Sequence, residues 1–232
     1  YLRPQFARRV VSLVKAAGCK PFLTDANTLY TGRRGNAVDH LEAAIENGFA
    51  YSVVNAPLII ADGLTGKDFV EVAVEQKHFQ FVKISSSAYH ADVLISLAHF
   101  RGHEATGFGG TIKNVGMGLG SRSGKQMMHT GLLPTVNIEK CTGCGKCVIW
   151  CPAQAITLLT RNPKKYAVIN QKKCIGCGEC AVTCSPGAIA IGWEEEEHVL
   201  QEKMAEFALG IIKNKNGKVA FFNFLLDITS DC

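Results

Sequence analysis

The chain has 232 residues, of which 47% are hydrophobic, and it carries a formal net charge of +5. This composition is sufficient for one sizeable hydrophobic core plus a small module, and no apolar run is long enough to span a bilayer. Because Lys and Arg are dispersed along the sequence, we expect no nucleic-acid partner.

Predicted helices and strands alternate through the first hundred residues. Pro4 begins an amphipathic helix over residues 4–17, and a second helix is predicted over residues 36–47, with Gly48 directly after it. Apolar and β-branched runs predict strands over residues 20–24, 57–61, 69–74, 80–85 and 92–98. This alternation predicts an α/β sheet domain, and the continuous apolar character of the last run is typical of a strand in a buried sheet.

A glycine-rich segment, residues 98–118, follows the last of these strands. Sites in α/β sheets lie beyond the carboxyl ends of the strands. Gly116 and Gly118 do not begin a dinucleotide fingerprint, because Ser121 stands where glycine is required, and residues 121–125 are not a P-loop, because the first glycine is misplaced and Gln126 follows the lysine. What the segment offers is a backbone at Gly109 and Gly110 that can approach a ligand closely, with the charge of Lys113 beside it, so we expect a small anionic ligand here.

Eight of the ten cysteines form two copies of one pattern, in which cysteines at every third position are followed by a fourth cysteine four positions later. The copies, offset by 33 residues, are Cys141, Cys144, Cys147 and Cys151, and Cys174, Cys177, Cys180 and Cys184. This internal duplication is typical of the ligands of two [4Fe-4S] clusters. Disulfides would require an oxidising compartment, and zinc sites usually pair two Cys-x-x-Cys knuckles about a dozen or more residues apart, so neither alternative explains the spacing.

The sequence after the repeats returns to the earlier alternation. Acidic residues 194–197 precede a long helix to about residue 213, and residues 218–227 are predicted to form a strand. We therefore assign residues 1–135 and 193–232 to the α/β domain and residues 136–192 to an inserted two-cluster module. Of the remaining cysteines, Cys19 is predicted to be a buried thiol and Cys232 is unassigned.

The ends of the sequence suggest a fragment, because it begins at Tyr1 without a methionine and stops at Cys232 without a terminating signal. A missing N-terminal piece would hide any targeting segment. The expected cytoplasmic location, in an anaerobic setting, therefore depends on the cysteine usage and on the lability of such clusters.

Residues 136–192 resemble a bacterial two-cluster ferredoxin, except that Ser185 replaces the proline after the fourth cysteine of the second copy. In such ferredoxins the fourth cysteine of each motif binds the other cluster. The resemblance therefore implies two ligand sets, which are Cys141, Cys144, Cys147 and Cys184 for one cluster, and Cys174, Cys177, Cys180 and Cys151 for the other.

Nearly the whole chain resembles an uncharacterised iron-sulfur family, the domain of unknown function 362. The resemblance is carried by residues 1–4, 24–30, 36–40 and 103–118, together with the cysteine motifs. It implies an α/β domain that carries a two-cluster ferredoxin insert, and it implies no reaction.

A second resemblance concerns the glycine-rich segment. The spacing of His103, Lys113 and His129 is similar to that in the nickel-pincer lactate racemase family, where the matching positions are a catalytic histidine, the cofactor-bearing lysine and a nickel-ligating histidine. The alternative interpretation is that both histidines are polar loop residues and that the lysine is structural or binds an anion.

Two functional hypotheses follow from these patterns. The first is an electron-transfer protein whose clusters exchange low-potential electrons with a redox partner protein. The second is an enzyme, or an oxidoreductase component, that binds a small hydroxy acid or a related anion in a pocket formed by His103, Lys113 and His129. A purely structural role for both clusters is the third alternative.

Overall fold

The computed structural model describes residues 2–29, 32–103, 106–129, 134–161, 164–174, 176–190 and 197–229. Outside these ranges lie Cys232, the acidic residues 194–196 before the last helix, and four residues of the 1–4, 24–30 and 103–118 motifs, at positions 1, 30, 104 and 105. None of the helices in the described ranges combines the length and the apolar character needed to cross a membrane.

The described residues form a mixture of helices and strands, as the sequence predicted. The helices are α1 Pro4–Ala16, α2 Ala37–Ala44, α3 Tyr51–Val54, α4 Ser86–His90, α5 Arg122–His129, α6 Lys146–Ile149, α7 Glu179–Val182 and α8 Glu197–Lys213, with wide helical turns at Ile45–Phe49 and Lys113–Met117. The strands are β1 Leu23–Asp25, β2 Leu58–Ile60, β3 Phe69–Ala73, β4 Phe81–Ser85, β5 Leu94–His99, β6 Arg101–His103, β7 Gly107–Gly109, β8 Thr135–Val136, β9 Ile156–Arg161, β10 Lys164–Ile169, β11 Ile189–Ala190 and β12 Val219–Phe224.

The N-terminal helices begin where the sequence signals indicate, and α1 also ends as they indicate. Pro4 occupies the first turn of α1, and Gly18 follows the helix with a φ of 80°. The side-chain oxygen of Asn36 accepts hydrogen bonds from the backbone N–H groups of residues 38 and 39, so it caps α2. The predicted helix over residues 36–47 is shorter in the structure, because Asn47 and Gly48 leave helical dihedral angles.

The strands pair two by two among the described residues instead of forming one continuous α/β sheet. β1 and β2 are parallel, and so are β5 and β12, whereas β3–β4, β6–β7, β8–β11 and β9–β10 are antiparallel. The strand predicted at 92–98 corresponds to β5, and most of its residues are only partly buried. Among the described residues it pairs with β12 alone, so it is not the strand inside a buried sheet that the sequence predicted. The parallel β5–β12 pair joins segments from before and after the cysteine repeats, while the proposed domain boundaries stay a prediction.

Two clusters of buried side chains form the core. The larger cluster packs α5 and α8 against the β3–β4 hairpin and the wide turn at Lys113–Met117; its buried members are Val74, Val82, Ile84, Ala88, Val115, Leu119, Met128, Leu200, Met204, Phe207 and Ile211. The smaller cluster lies in the cysteine region and includes Leu29, Cys141, Cys147, Ile156, Ala167, Cys180, Ala181, Ala188 and Ile189. Apolar burial of this kind is the main favourable contribution to folding.

Cys19 is exposed, so the prediction of a buried thiol is wrong. It lies directly after Gly18, where the chain leaves α1, and its Sγ is 3.9 Å from the carbonyl oxygen of Ala17. The apolar neighbours in the sequence do not fold over it.

Candidate metal centre

The first cysteine motif lines a cavity together with one cysteine of the second motif. Cys141 and Cys144 lie on the loop that leads into α6, Cys147 lies in the first turn of α6, and Cys184 reaches the same cavity from the far end of the second repeat. Apolar side chains of β9, β10 and β11 complete the lining, and they include Leu158, Ala167 and Ile189. The structure thus brings together the four residues that the ferredoxin resemblance implies for one cluster.

The cysteines of the second motif affect one another electrostatically, and Cys151 of the first motif contributes to the effect. Burial, followed by the charges of Cys177 and Cys174, raises the pKa of Cys180 to about 12, with smaller contributions from Cys147 and Cys151. Burial also raises the pKa of Cys177, and Cys151 adds to the effect. Cys151 from the first repeat therefore lies within electrostatic range of the second motif.

Backbone N–H groups point at three of the cysteine sulfurs. The Sγ of Cys141 accepts a hydrogen bond from Ala167 N at 3.4 Å, and the Sγ atoms of Cys151 and Cys184 accept from the backbone four residues further on, each at 3.2 Å. Hydrogen bonds of this kind stabilise negative charge on sulfur and tune bound metal clusters.

The cysteines differ in solvent access. Cys144 is exposed, and the backbone N–H of Lys146 lowers the pKa of its thiol. Cys147 is buried, and burial, followed by the charges of Cys141 and Cys184, raises the pKa of its thiol.

Among the described residues, no three His, Cys, Asp or Glu side chains converge closely enough to hold a single metal ion.

The second motif is tied to the rest of the protein by a buried ion pair. Glu179 lies between Cys177 and Cys180, and its Oε2 accepts a hydrogen bond from Arg122 Nη1 at 2.7 Å. The side chains of Arg122 and Glu179 are only 1% and 6% exposed. Next to the pair, an added Cβ on Gly178 would lie 2.5 Å from Leu29 Cδ2, so this loop packs against its neighbours with no space for a side chain.

The three residues of the predicted anion pocket lie within electrostatic range of one another. Burial, followed by the charges of Lys113, Lys125 and His103, lowers the pKa of His129 to about 4. The backbone of Gly109 lies against Lys113, because an added Cβ there would be 3.4 Å from Lys113 Cδ. Gly110 lies instead against Asn223 of β12. The lysine occupies a wide helical turn, which is a distortion that often occurs at functional sites.

A cluster of charged residues at the carboxyl ends of β1 and β2 was not singled out by the sequence analysis. Asp25 ends β1, and Asp62 follows β2 and is fully buried. Asp62 Oδ1 accepts from the backbone N and from Nδ2 of Asn27, each at 2.9 Å, and its Oδ2 accepts from Arg122 N at 3.1 Å. Asp62 therefore satisfies the first backbone N–H group of α5.

The same cluster surrounds a buried lysine. Lys125 Nζ donates to the carbonyl oxygens of Gly118 and Gly120 at 3.3 and 2.7 Å. Burial lowers the pKa of this ammonium group, although the charges of Asp62 and Asp25 oppose the shift. Burial also raises the pKa of Asp62, and the charge of Lys125 offsets only part of that increase.

Asp25 differs from Asp62 because its side chain is 49% exposed, even though protein atoms crowd around it. That crowding alone would raise the pKa of Asp25, but His40, whose Nε2 is 3.7 Å from Oδ2, and the charge of Lys125 outweigh it and lower the pKa. A polar residue at the carboxyl end of each of two parallel strands was the signal that could have revealed this cluster.

Fold and site together define a mixed helix and strand protein in which a duplicated cysteine motif is linked to a buried charged cluster. The chain belongs to the family described as Domain of unknown function (DUF362), whose sequence model matches residues 1–232. The family resemblance is therefore confirmed, while the ferredoxin and lactate racemase resemblances stay predictions. No curated protein matches the chain.

Proposed function

We propose that this protein transfers electrons, holding two [4Fe-4S] clusters and exchanging low-potential electrons with a redox partner protein. The observation that carries the proposal is the cavity in which Cys184 joins Cys141, Cys144 and Cys147. The contribution of a cysteine from the opposite repeat is the arrangement that two-cluster ferredoxins use. The ligands would be the two sets given above, with Cys174, Cys177, Cys180 and Cys151 holding the second cluster.

The residues around the cysteines fit such clusters. Burial raises the pKa of Cys180 to about 12, so this thiol would stay protonated at neutral pH unless a metal cation were bound beside it. Bound clusters would supply one-electron oxidation and reduction. The chain itself excludes water with its apolar side chains and directs N–H groups at the Sγ atoms of Cys141, Cys151 and Cys184.

Clusters suit these positions better than single zinc ions do. A zinc ion takes all of its ligands around one point, whereas each thiolate of a cubane binds a different iron at a separate corner. The two interleaved sets, each with three cysteines from one loop and a fourth from the other repeat, match the second arrangement. Labile clusters of this type and the absence of disulfides among the described cysteines favour a reducing, anaerobic cytoplasm.

Metal analysis tests this proposal. Protein purified without oxygen should contain about eight irons and about eight sulfides per chain, and Cys144→Ser should reduce both to about four. Cys19→Ser is the matched control, because Cys19 is also exposed but lies outside both motifs, and it should leave the iron content unchanged. Zinc without iron, or equal iron in the two variants, would contradict the ligand sets.

A second candidate function is an enzyme, or an oxidoreductase component, with a small-anion site formed by His103, Lys113 and His129. The observation that favours it is the low pKa of His129, about 4, to which the charges of Lys113 and His103 contribute. An imidazole that is neutral at pH 7 can bind a metal such as nickel.

Ligand binding and metal analysis together test this candidate. Lys113→Ala should weaken binding of lactate, the probe for a small hydroxy acid, without altering the iron content. Unchanged lactate affinity in that variant would remove Lys113 from the site. Nickel alongside iron in the wild-type protein would favour the nickel-pincer chemistry.

A further inference from the structure

We propose that the exposed side of the first cysteine motif docks an acidic one-electron carrier protein. This inference rests on the proposed function and names the kind of partner that the first cluster site would use. The docking face consists of Cys144, Lys146, Ile149, Trp150, Leu158 and Lys165.

The docking face exposes apolar side chains that do not contribute to the core. Ile149 is 81% exposed, which is the highest value for a large apolar side chain among the described residues, and the adjacent Trp150 is 50% exposed. Leu158 on β9 is also exposed. Exposed apolar residues surrounded by polar ones are typical of protein interaction sites, and tryptophan is enriched among the residues that dominate binding.

The loop that carries Cys144 and the β9–β10 hairpin form one surface. An added Cβ on Gly143 would lie 2.6 Å from the carbonyl oxygen of Lys165, and one on Gly145 would lie 3.6 Å from Leu158 Cδ1. Because the loop that carries Cys144 packs directly on the hairpin, it lies beside Leu158 and Lys165, and α6, which ends at Ile149 and is followed by Trp150, continues from it.

The charge of this region indicates the partner's charge. Between residues 136 and 190, the basic residues outnumber the acidic ones by seven to two. All seven are exposed, and they are Lys140, Lys146, Arg161, Lys164, Lys165, Lys172 and Lys173. Of the two acidic residues, Glu179 is buried and paired with Arg122. Thiolate-bound clusters would place negative charge inside the module, but an approaching protein would meet the ammonium groups first, so an acidic protein is favoured.

The second motif is less suited to the same role, because the start of α7, which carries Cys180, is covered. Gly178, Glu179 and Cys180 are buried, and the loop packs against Leu29 and Arg122. A carrier docked at the first motif would give up one electron and become oxidised, and the cluster bound there would accept that electron. The second motif would then link the first motif to the rest of the chain.

Charge reversal tests the proposal on protein purified without oxygen. The face variant carries Lys165→Glu, and the matched control carries Lys218→Glu, which makes the same charge change at an exposed site outside the cysteine region. The probe is a reduced bacterial ferredoxin of net negative charge. Its affinity is measured by calorimetry at two salt concentrations, and its electron transfer is measured by stopped-flow absorbance, with dithionite as the reductant that needs no docking.

The face variant should bind ferredoxin at least about tenfold more weakly and accept its electrons correspondingly more slowly, while dithionite reduces it as fast as the wild type. The control variant should resemble the wild type in both assays. If ferredoxin reduced the face variant and the wild type equally while dithionite bleached both, the docking proposal alone would be overturned. A lack of bleaching by dithionite in the wild type would overturn the proposed function and the docking site with it.

A nucleic-acid partner is the competing explanation for a basic face. A labelled single-stranded oligonucleotide, titrated into the same proteins, tests it. Negligible affinity in the wild type supports the docking proposal. Binding that is lost in the face variant, with unchanged electron transfer from ferredoxin, would assign the lysines to nucleic acid and overturn the proposal.

Discussion

The buried ion pair between Arg122 and Glu179 should be one of the most sensitive positions in the molecule. Glu179→Gln removes the charge but keeps the side-chain volume, and it leaves the guanidinium group, which cannot lose its proton, buried without its carboxylate. Removing one partner of a buried pair costs about 3–5 kcal/mol. Because the glutamine oxygen can still accept a hydrogen bond, we expect a loss near the lower limit, about 3 kcal/mol.

Arg122→Met removes the other partner of the pair and should reduce the free energy of unfolding by less. The reason is that Lys67 Nζ, which is 3.8 Å from Glu179 Oε2, still faces the carboxylate. The double variant should be more stable than the sum of the two single losses predicts, with a coupling of about 1–3 kcal/mol. Urea unfolding of protein purified without oxygen measures all four free energies, with iron release as a second probe. A loss below about 1 kcal/mol for Glu179→Gln, or strictly additive losses, would refute the reasoning.

Three further predictions concern other buried groups. Burial lowers the pKa of His129 from 6.5 to about 4, so between those pH values only the unfolded chain binds this proton. Acidification across that range should therefore lower the free energy of unfolding by about 3 kcal/mol. In the variant His129→Asn, the free energy of unfolding should depend less on pH over this range. Lys215 Nζ donates to three backbone carbonyl oxygens at 2.6 to 2.7 Å, so Lys215→Met should lower the free energy of unfolding in urea by about 2–3 kcal/mol. Gly178→Ala would place a methyl group 2.5 Å from Leu29 at a φ of 70°, so it should lower the free energy of unfolding by about 2–3 kcal/mol and reduce the iron content. The control is Gly187→Ala, at a φ of 62° with open space around it, which should lower the free energy of unfolding by about 1 kcal/mol.

The sequence predicted those helices and strands that depend on interactions between neighbouring residues. The start of α1 at Pro4, the cap of α2 by Asn36 and the strands of the β3–β4 hairpin all follow from neighbouring residues. The strand pairing did not follow, because the β5–β12 pair joins segments more than a hundred residues apart, and no local pattern specifies that register.

The candidate site divides in the same way. The cysteine motif occurs twice in the sequence with a spacing that cluster ligands require, so the ligand sets could be proposed from the sequence alone. The partnership of Arg122 with Glu179 could not be predicted, because no local pattern links two residues that are 57 positions apart. Their contact depends on how the second motif packs against the rest of the chain.

That packing makes the two sequence repeats inequivalent. Cys144 of the first motif is exposed beside apolar and basic side chains, whereas Cys177, at the matching position of the second motif, is only partly exposed and lies two residues before the buried Glu179. Arg122 extends this contact, because its guanidinium group donates to Glu179 while its backbone N–H donates to Asp62 at the end of β2. One residue therefore connects the second motif to the charged cluster around Lys125. In the proposed relay, electrons would enter at the first motif. A change in charge at the second motif would then act, through Arg122, on the charged residues around Lys125.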